Sequence, residues 1–127
     1  MPQKKTLLSI VELGGYPNLT PLYEDAGFNV VSTNTMRKAL NQLRRLRPEF
    51  IVAEFIYGPT YGSQLSNFES LYAALQTLDP PAKLIALVNK NDHTHFLTVS
   101  SRYSNTAVIH FPIDQDKLKE ILLTFTE

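Results

Sequence analysis

The chain has 127 residues, of which 43% are hydrophobic, so it is long and apolar enough to form one domain with a buried core. Twelve basic and twelve acidic residues give a formal net charge of zero, so overall charge attracts neither nucleic acid nor anionic lipid. The absence of cysteine excludes disulfides, thiol nucleophiles and thiolate metal sites. We find no apolar run of membrane-spanning length, and we expect a single cytoplasmic domain over residues 1–127.

Apolar runs of strand length recur along the chain. They are nearly continuous and rich in β-branched and aromatic residues, which is typical of strands that are covered on both faces. The predicted strands are Leu7–Leu13, Phe28–Ser32, Phe50–Ile56, Lys83–Val88 and Ala107–Phe111.

The first two predicted helices have clear boundaries. The first covers about 19–26; it is short because Pro21 fits only in a first turn, and Gly27 follows as its stop. The second begins after Thr35, a suitable N-cap, and closes before Pro48.

The last three predicted helices are less uniform. Ser66 and Glu69 have the spacing of a capping box at the start of the third helix, which Pro80 and Pro81 end. The fourth, about 92–102, is weakly patterned, and the fifth opens at Asp114. Strands that alternate with helices over short connections imply a parallel sheet with helices on both faces.

The third predicted strand carries the most specific pattern. The pattern begins before the strand and ends after it. It consists of Pro48, Glu49, four apolar residues, Glu54, two more apolar residues and, after Tyr57, a Gly-Pro turn at 58–59. This pattern resembles the response-regulator receiver domain, in which an aspartate at the position of Glu54 accepts phosphate. The glycine and proline of the turn stand here in the reverse of the family's order. The resemblance spans nearly the whole chain. It implies an α/β, flavodoxin-like three-layer sandwich with a five-stranded parallel sheet in the order 2-1-3-4-5.

The resemblance also places the receiver's phosphorylation site, and its residues are changed here. Glu54 replaces the aspartate, and Glu12 is a single acid where the family has a Mg²⁺-binding pair, with Leu13 in the second position. Val88 replaces a threonine or serine, and Phe111 replaces a lysine that precedes a proline. Because phosphoryl transfer needs charge neutralisation by metal and by a cation, the chain resembles a degenerate pseudo-receiver with no enzymatic activity, cofactor or metal.

Two readings of Glu54 remain open. It is either a fixed mimic of a phosphorylated aspartate or a solvated acid at a strand end, and the second is preferred because Val88 and Phe111 offer few polar partners. A residual metal site at Glu12 and Glu54 is a further, less favoured reading, since two like charges at close range require a cation between them.

Other candidate residues have ordinary and functional readings. His110 is read as a packed, hydrogen-bonded histidine rather than a phosphohistidine or a pH-sensitive group, and His93 and His95 as surface histidines. Tyr57 and Tyr61 lie in the loop after the third strand; they suit a protein contact, or their rings fold back onto the sheet edge. The positive residues of the second helix are read as a solvated face.

The leading hypothesis is a non-enzymatic interaction module of bacterial signal transduction, similar to receivers of two-component systems but not controlled by aspartate phosphorylation. It docks a protein partner or a second copy through the face of the fourth helix, fifth strand and fifth helix, about 92–125. Nucleic acid and membrane are not expected as partners. One alternative is an atypical phosphoryl-accepting domain that uses Glu54 or His110. The other is a small-ligand binder in the crevice rimmed by Gly14, Gly15, Glu54, Tyr57 and Asn89.

Overall fold

The structure is a computed structural model that describes residues 5–58, 66–101 and 103–126, with the backbone alone described at 125 and 126. Tyr61 therefore lies outside the described residues. The elements are β1 (Lys5–Ile10), α1 (Thr20–Asp25), β2 (Phe28–Thr33), α2 (Met36–Leu46), β3 (Phe50–Glu54), α3 (Phe68–Leu75), β4 (Lys83–Val88), α4 (His93–Ser100), β5 (Thr106–His110) and α5 (Gln115–Thr126), with a 3-10 turn at Lys90–Asp92 before α4.

The five strands form one sheet in the order β2-β1-β3-β4-β5, and every neighbouring pair is parallel. The predicted α/β sandwich and its strand order are therefore confirmed. None of the described helices combines the length and the apolar character that crossing a membrane requires.

Two separate cores explain why the strands are almost continuously apolar. Leu7 and Leu8 are both fully buried, but they point to opposite faces of the sheet because side chains alternate along a strand. The face of Leu8 packs against Leu43 of α2, Leu71 of α3 and Phe96 of α4, and the face of Leu7 packs against Tyr23 of α1 and Leu118 of α5.

Local signals at two helix ends act as predicted. The Thr35 hydroxyl accepts a hydrogen bond of 3.1 Å from the Lys38 N–H and so caps α2. Gly27 follows α1 with a φ of +98°, a left-handed conformation that glycine adopts without strain. The capping box predicted for α3 is wrong, because the Ser66 hydroxyl accepts from the Phe68 N–H instead of the Glu69 N–H.

Strand β1 ends three residues earlier than predicted. The Val11 N–H still bonds to the Thr33 carbonyl at 2.9 Å, but the chain then leaves the sheet, and Leu13 is 77% exposed. Gly14 and Gly15 have φ values of +70° and +84°, so both adopt the left-handed conformation that turns the chain. The segment after β1 consequently folds over the carboxyl end of β3.

Candidate functional site

Glu54 ends β3 and is the centre of the candidate site. Its carboxylate accepts backbone hydrogen bonds from Glu12 at 3.1 Å, Leu13 at 2.7 Å and Gly14 at 3.0 Å. The Tyr16 hydroxyl donates a fourth bond of 2.6 Å, and the Glu54 side chain is only 3% exposed. The preferred reading of Glu54 as a solvated acid is therefore wrong. The carboxylate is buried, which its several hydrogen bonds make tolerable.

The loop after β1 supplies these donors because of its backbone shape. Three successive N–H groups point to one place, as in the concave anion-binding arrangements called nests. The third donor, Gly14, is also the first of the two left-handed glycines. Glu54 supplies the anion from within the chain. Whether the fixed carboxylate mimics a phosphorylated state stays a prediction.

Tyr16 closes the other side of the Glu54 carboxylate. Burial raises the pKa of the Tyr16 phenol well above its usual range, and the hydrogen bond and charge of Glu54 raise it further, so Tyr16 remains a protonated donor. The Tyr16 ring packs against the Phe111 ring with centroids 5.4 Å apart. Phe111 occupies the position where the resemblance expects a lysine. Its ring packs against Tyr16 and so helps to hold the Tyr16 hydroxyl in place.

Asn67 is a functional-site residue that sequence analysis missed. Its side-chain amide donates to the Glu54 carbonyl at 2.6 Å and to the Glu12 carboxylate at 2.9 Å, and its side-chain oxygen accepts from the Ile56 N–H at 2.8 Å. The residue is 1% exposed. The sequence offered one signal for this residue, an asparagine just before the apolar stripe of α3. Such an asparagine predicts a helix cap, not a bridge between the loop after β1 and the end of β3.

The residues of this site do not fit the Mg²⁺ ion that the receiver resemblance implies. A carboxylate offers about four lone-pair positions, and Glu54 already accepts four hydrogen bonds. The Glu12 carboxylate accepts from Asn67. Within the described ranges, no group of three or more histidine, aspartate or glutamate side chains could hold a metal ion, whereas Mg²⁺ favours an octahedron of oxygens.

Two further positions at which the resemblance expects polar receiver residues are apolar, Val88 and Phe111. Val88 is fully buried at the end of β4, and its carbonyl accepts from the Phe111 N–H at 3.1 Å. Neither side chain offers a hydrogen-bond donor to a phosphoryl group. The structure does bring the five predicted rim residues together around a cavity of about 420 Å³: Gly14, Gly15, Glu54, Tyr57 and Asn89.

Two of the three histidines form a direct pair. His110 Nε2 lies 2.8 Å from His93 Nδ1, so the end of β5 is tied to the start of α4. His110 is hydrogen-bonded as expected but only half-buried, and His93 is not the free surface residue that was expected. His95 stacks on Tyr57 with ring centroids 3.8 Å apart and an angle of 8°, so the Tyr57 ring folds back onto α4.

His110 lies near basic side chains. Burial lowers the pKa of His110, and the nearby charges of His93, Lys90 and Lys117 lower it further. Because one ring nitrogen must donate and the other accept, the pair requires at least one neutral imidazole. Acidification therefore opposes this contact between α4 and β5.

With the geometry established, comparison with known proteins bears on the fold. No protein-family model matches the chain, and no curated protein matches it by sequence. By structure it is similar to a response regulator receiver protein from Sinorhizobium medicae, with 16% identity, a TM-score of 0.71 and 98% of each chain covered. A response regulator protein from Burkholderia multivorans has 16% identity and a TM-score of 0.72 over 98% of this chain and 96% of that chain. A response regulator from Desulfuromonas acetoxidans has 16% identity and a TM-score of 0.67 over 95% and 94%.

These likenesses establish the receiver-like fold. At 16% identity they do not extend to the chemistry of the site. The chemistry of the site therefore depends on the residues that this chain places there.

Substitution of Glu54 tests the buried carboxylate. We expect Glu54→Gln to lower the free energy of unfolding by about 2 kcal/mol or more, because the amide loses the charge and presents N–H groups to N–H donors. Glu54→Asp, which restores the receiver residue, should also destabilise, since the shorter side chain cannot reach all four donors. Urea unfolding measures both. The control is Glu49→Gln, whose carboxylate accepts a long bond of 3.5 Å from the Thr6 N–H at the surface. Wild-type stability in Glu54→Gln would contradict this account.

The histidine pair predicts a pH dependence of stability. The folded state disfavours protonation of His110. The stability that depends on a neutral His110 is therefore complete above the ordinary pKa of 6.5 and is lost as pH falls through the lowered folded-state pKa. Unfolding free energies measured from neutral to mildly acidic pH should therefore fall more steeply in the wild type than in His110→Gln. His95→Gln lies outside the pair and should keep the wild-type slope. Identical slopes in wild type and His110→Gln would refute the role of the pair.

Proposed function

We propose that the chain is a non-enzymatic, receiver-like interaction module of bacterial signal transduction whose state is not set by aspartate phosphorylation. The observation that carries the proposal is the Glu54 carboxylate, which is buried and accepts four hydrogen bonds at the position of the receiver's phosphate-accepting aspartate. Such a group has no free lone pair with which to attack phosphorus or bind a metal.

The surroundings of Glu54 support the same conclusion. Phosphoryl transfer depends on donors and cations that stabilise charge on the transferred group. Val88 and Phe111 provide neither, and the loop N–H groups that could hold an anion already bind Glu54. The site supports a stable shape rather than a reaction.

The α4–β5–α5 face is the surface through which we propose that the module docks. Strand β5 forms one edge of the sheet, and residues 106–108 are only partly buried there. Leu97 on α4 is 55% exposed and Leu123 on α5 is 45% exposed. Exposed leucines on the two helices that precede and follow β5, together with the open edge of that strand, fit a protein partner or a second copy of the chain.

A small-ligand-binding function is the second candidate, and the cavity of about 420 Å³ at the strand ends favours it. This volume lies within the range of about 300–1,000 Å³ that is typical of ligand pockets. Here Asp92 and the Phe111 ring would favour a ligand that is cationic or neutral rather than anionic.

A phosphodonor assay tests the central claim. The full chain is mixed with acetyl phosphate and Mg²⁺ and its intact mass is measured, with a phosphorylatable receiver domain as positive control. We expect no added phosphoryl group, because Glu54 is fully hydrogen-bonded and His110 Nε2 is engaged by His93. A stable phosphoryl adduct at Glu54 or His110 would refute the proposal and favour the atypical phosphoryl-accepting alternative.

Charge substitution tests the docking face. We expect the double variant Leu97→Glu, Leu123→Glu to lose at least tenfold in affinity, since each change places a carboxylate in an apolar contact. Affinity is measured as self-association by sedimentation velocity and as binding to proteins retained from the native host. Leu13→Glu is the matched control, because Leu13 is 77% exposed but lies in the loop after β1. Equal affinity in the double variant and the wild type would exclude this face.

A further inference from the structure

A second and larger cavity lies at the opposite edge of the sheet from β5. Its volume is about 720 Å³, and it is bounded by the ends of β1 and β2 and by the first turns of α1 and α2. Sequence analysis did not predict it. It shares Tyr16 with the cavity beside Glu54 but is otherwise formed by different residues. Its position at the carboxyl ends of parallel strands is where ligands commonly bind in open α/β sheets.

The walls of this second cavity are polar but carry no negative charge among the described residues that line it. Hydroxyl and amide side chains are contributed by Ser32, Thr33, Asn34 and Gln42. The Thr33 hydroxyl oxygen is buried and has no hydrogen-bond partner among the described residues. A cavity of this composition offers several neutral donors to an incoming ligand.

Lys38 is the cation among the described lining residues, and it is exposed at the mouth of the cavity beside Asn34. Its ammonium donates to the Asn34 side-chain oxygen at 3.2 Å, and its N–H donates to the Thr35 cap at 3.1 Å. Lys38 therefore lies in the first turn of α2, an eleven-residue helix with no acidic residue in that turn. The positive end of the helix dipole disfavours a lysine there, and an anion would relieve the repulsion.

Two tyrosines supply the aromatic part of the described cavity lining, beside the aliphatic side chains of Val11, Pro17 and Leu19. Tyr16 is half-buried, whereas Tyr23 has 1% exposure and forms a rigid wall through its packing in the core. A ligand with one anionic group and an organic body would match one cationic end and one aromatic side. Several separate donors around one ammonium suit an oxyanion with several acceptor oxygens better than a single acceptor.

We propose that this cavity binds a small phosphate monoester, with the phosphate against Lys38, Asn34 and Ser32 and the organic part along Tyr16. Apart from Tyr16, whose hydroxyl donates to Glu54, the proposal uses different residues from those of the proposed function. Loss of ligand binding would leave the docking claim intact, and failure of docking would leave this site intact.

The experiment is titration of the ¹⁵N-labelled full chain with glycerol 3-phosphate, ribose 5-phosphate and AMP, followed by amide shifts. Ribose and adenosine serve as probes without phosphate. We expect saturable shifts for the amides of residues 32–38 with at least one phosphate monoester and none with its uncharged counterpart at the same concentration. Lys38→Gln should weaken the affinity about tenfold, since it removes a charge-assisted hydrogen bond.

Arg37→Gln is the matched control. Arg37 is the neighbouring cation on the same turn of α2 and is exposed, as Lys38 is, but it does not line the cavity. Its loss should therefore leave the affinity within about twofold of wild type. The proposal is overturned if no phosphate monoester gives saturable shifts at millimolar concentration. It is equally overturned if Lys38→Gln binds as tightly as the wild type, or if adenosine and AMP bind alike.

Discussion

The hydrogen bonds to the Glu54 carboxylate determine the carboxyl end of the sheet. Backbone N–H groups that are removed from water need an acceptor, and those after β1 find theirs in a side chain about forty positions further along the chain. This explains why β1 stops at Ile10 although apolar residues follow. Asn67 extends the same constraint to the start of α3 by joining the Glu54 carbonyl to the Glu12 carboxylate. One buried charge thus ties together two connections at the carboxyl end of the sheet, the one after β1 and the one between β3 and α3.

The same arrangement bears on chemistry. A nest of N–H groups is suited to bind an anion that arrives from solution, and a carboxylate is suited to hold a metal. When the carboxylate lies in the nest, each satisfies the other and neither has capacity left for a ligand. Tyr16 and Phe111 complete the enclosure with a hydroxyl and an aromatic ring. The contacts that stabilise this end of the domain are therefore the same contacts from which we propose the absence of phosphoryl transfer.

The fold could be predicted because it depends on short-range patterns. Continuous apolar runs predicted strands that are covered on both faces of the sheet. Leu7 and Leu8 confirm this, because they are neighbours in sequence and are buried in the two different cores. Thr35 and Gly27 marked helix ends by local conformation, which neighbouring residues determine. The strand order came with the resemblance, which itself depended on the pattern around Glu54.

The site was predictable in position but not in structure. Glu54 was identified from its place at the end of a buried strand, yet its burial depends on donors supplied by a distant loop. The pairing of His93 with His110 likewise joins residues 17 positions apart, and no periodic pattern encodes it. Periodicity reports which face a residue occupies, whereas a hydrogen-bond partner across the fold depends on how loops close. Lys38 is exposed, in agreement with the reading of a solvated helix face, but it also lines a cavity. Its relation to a cavity becomes visible only when the ends of β1 and β2 are placed beside the first turn of α2.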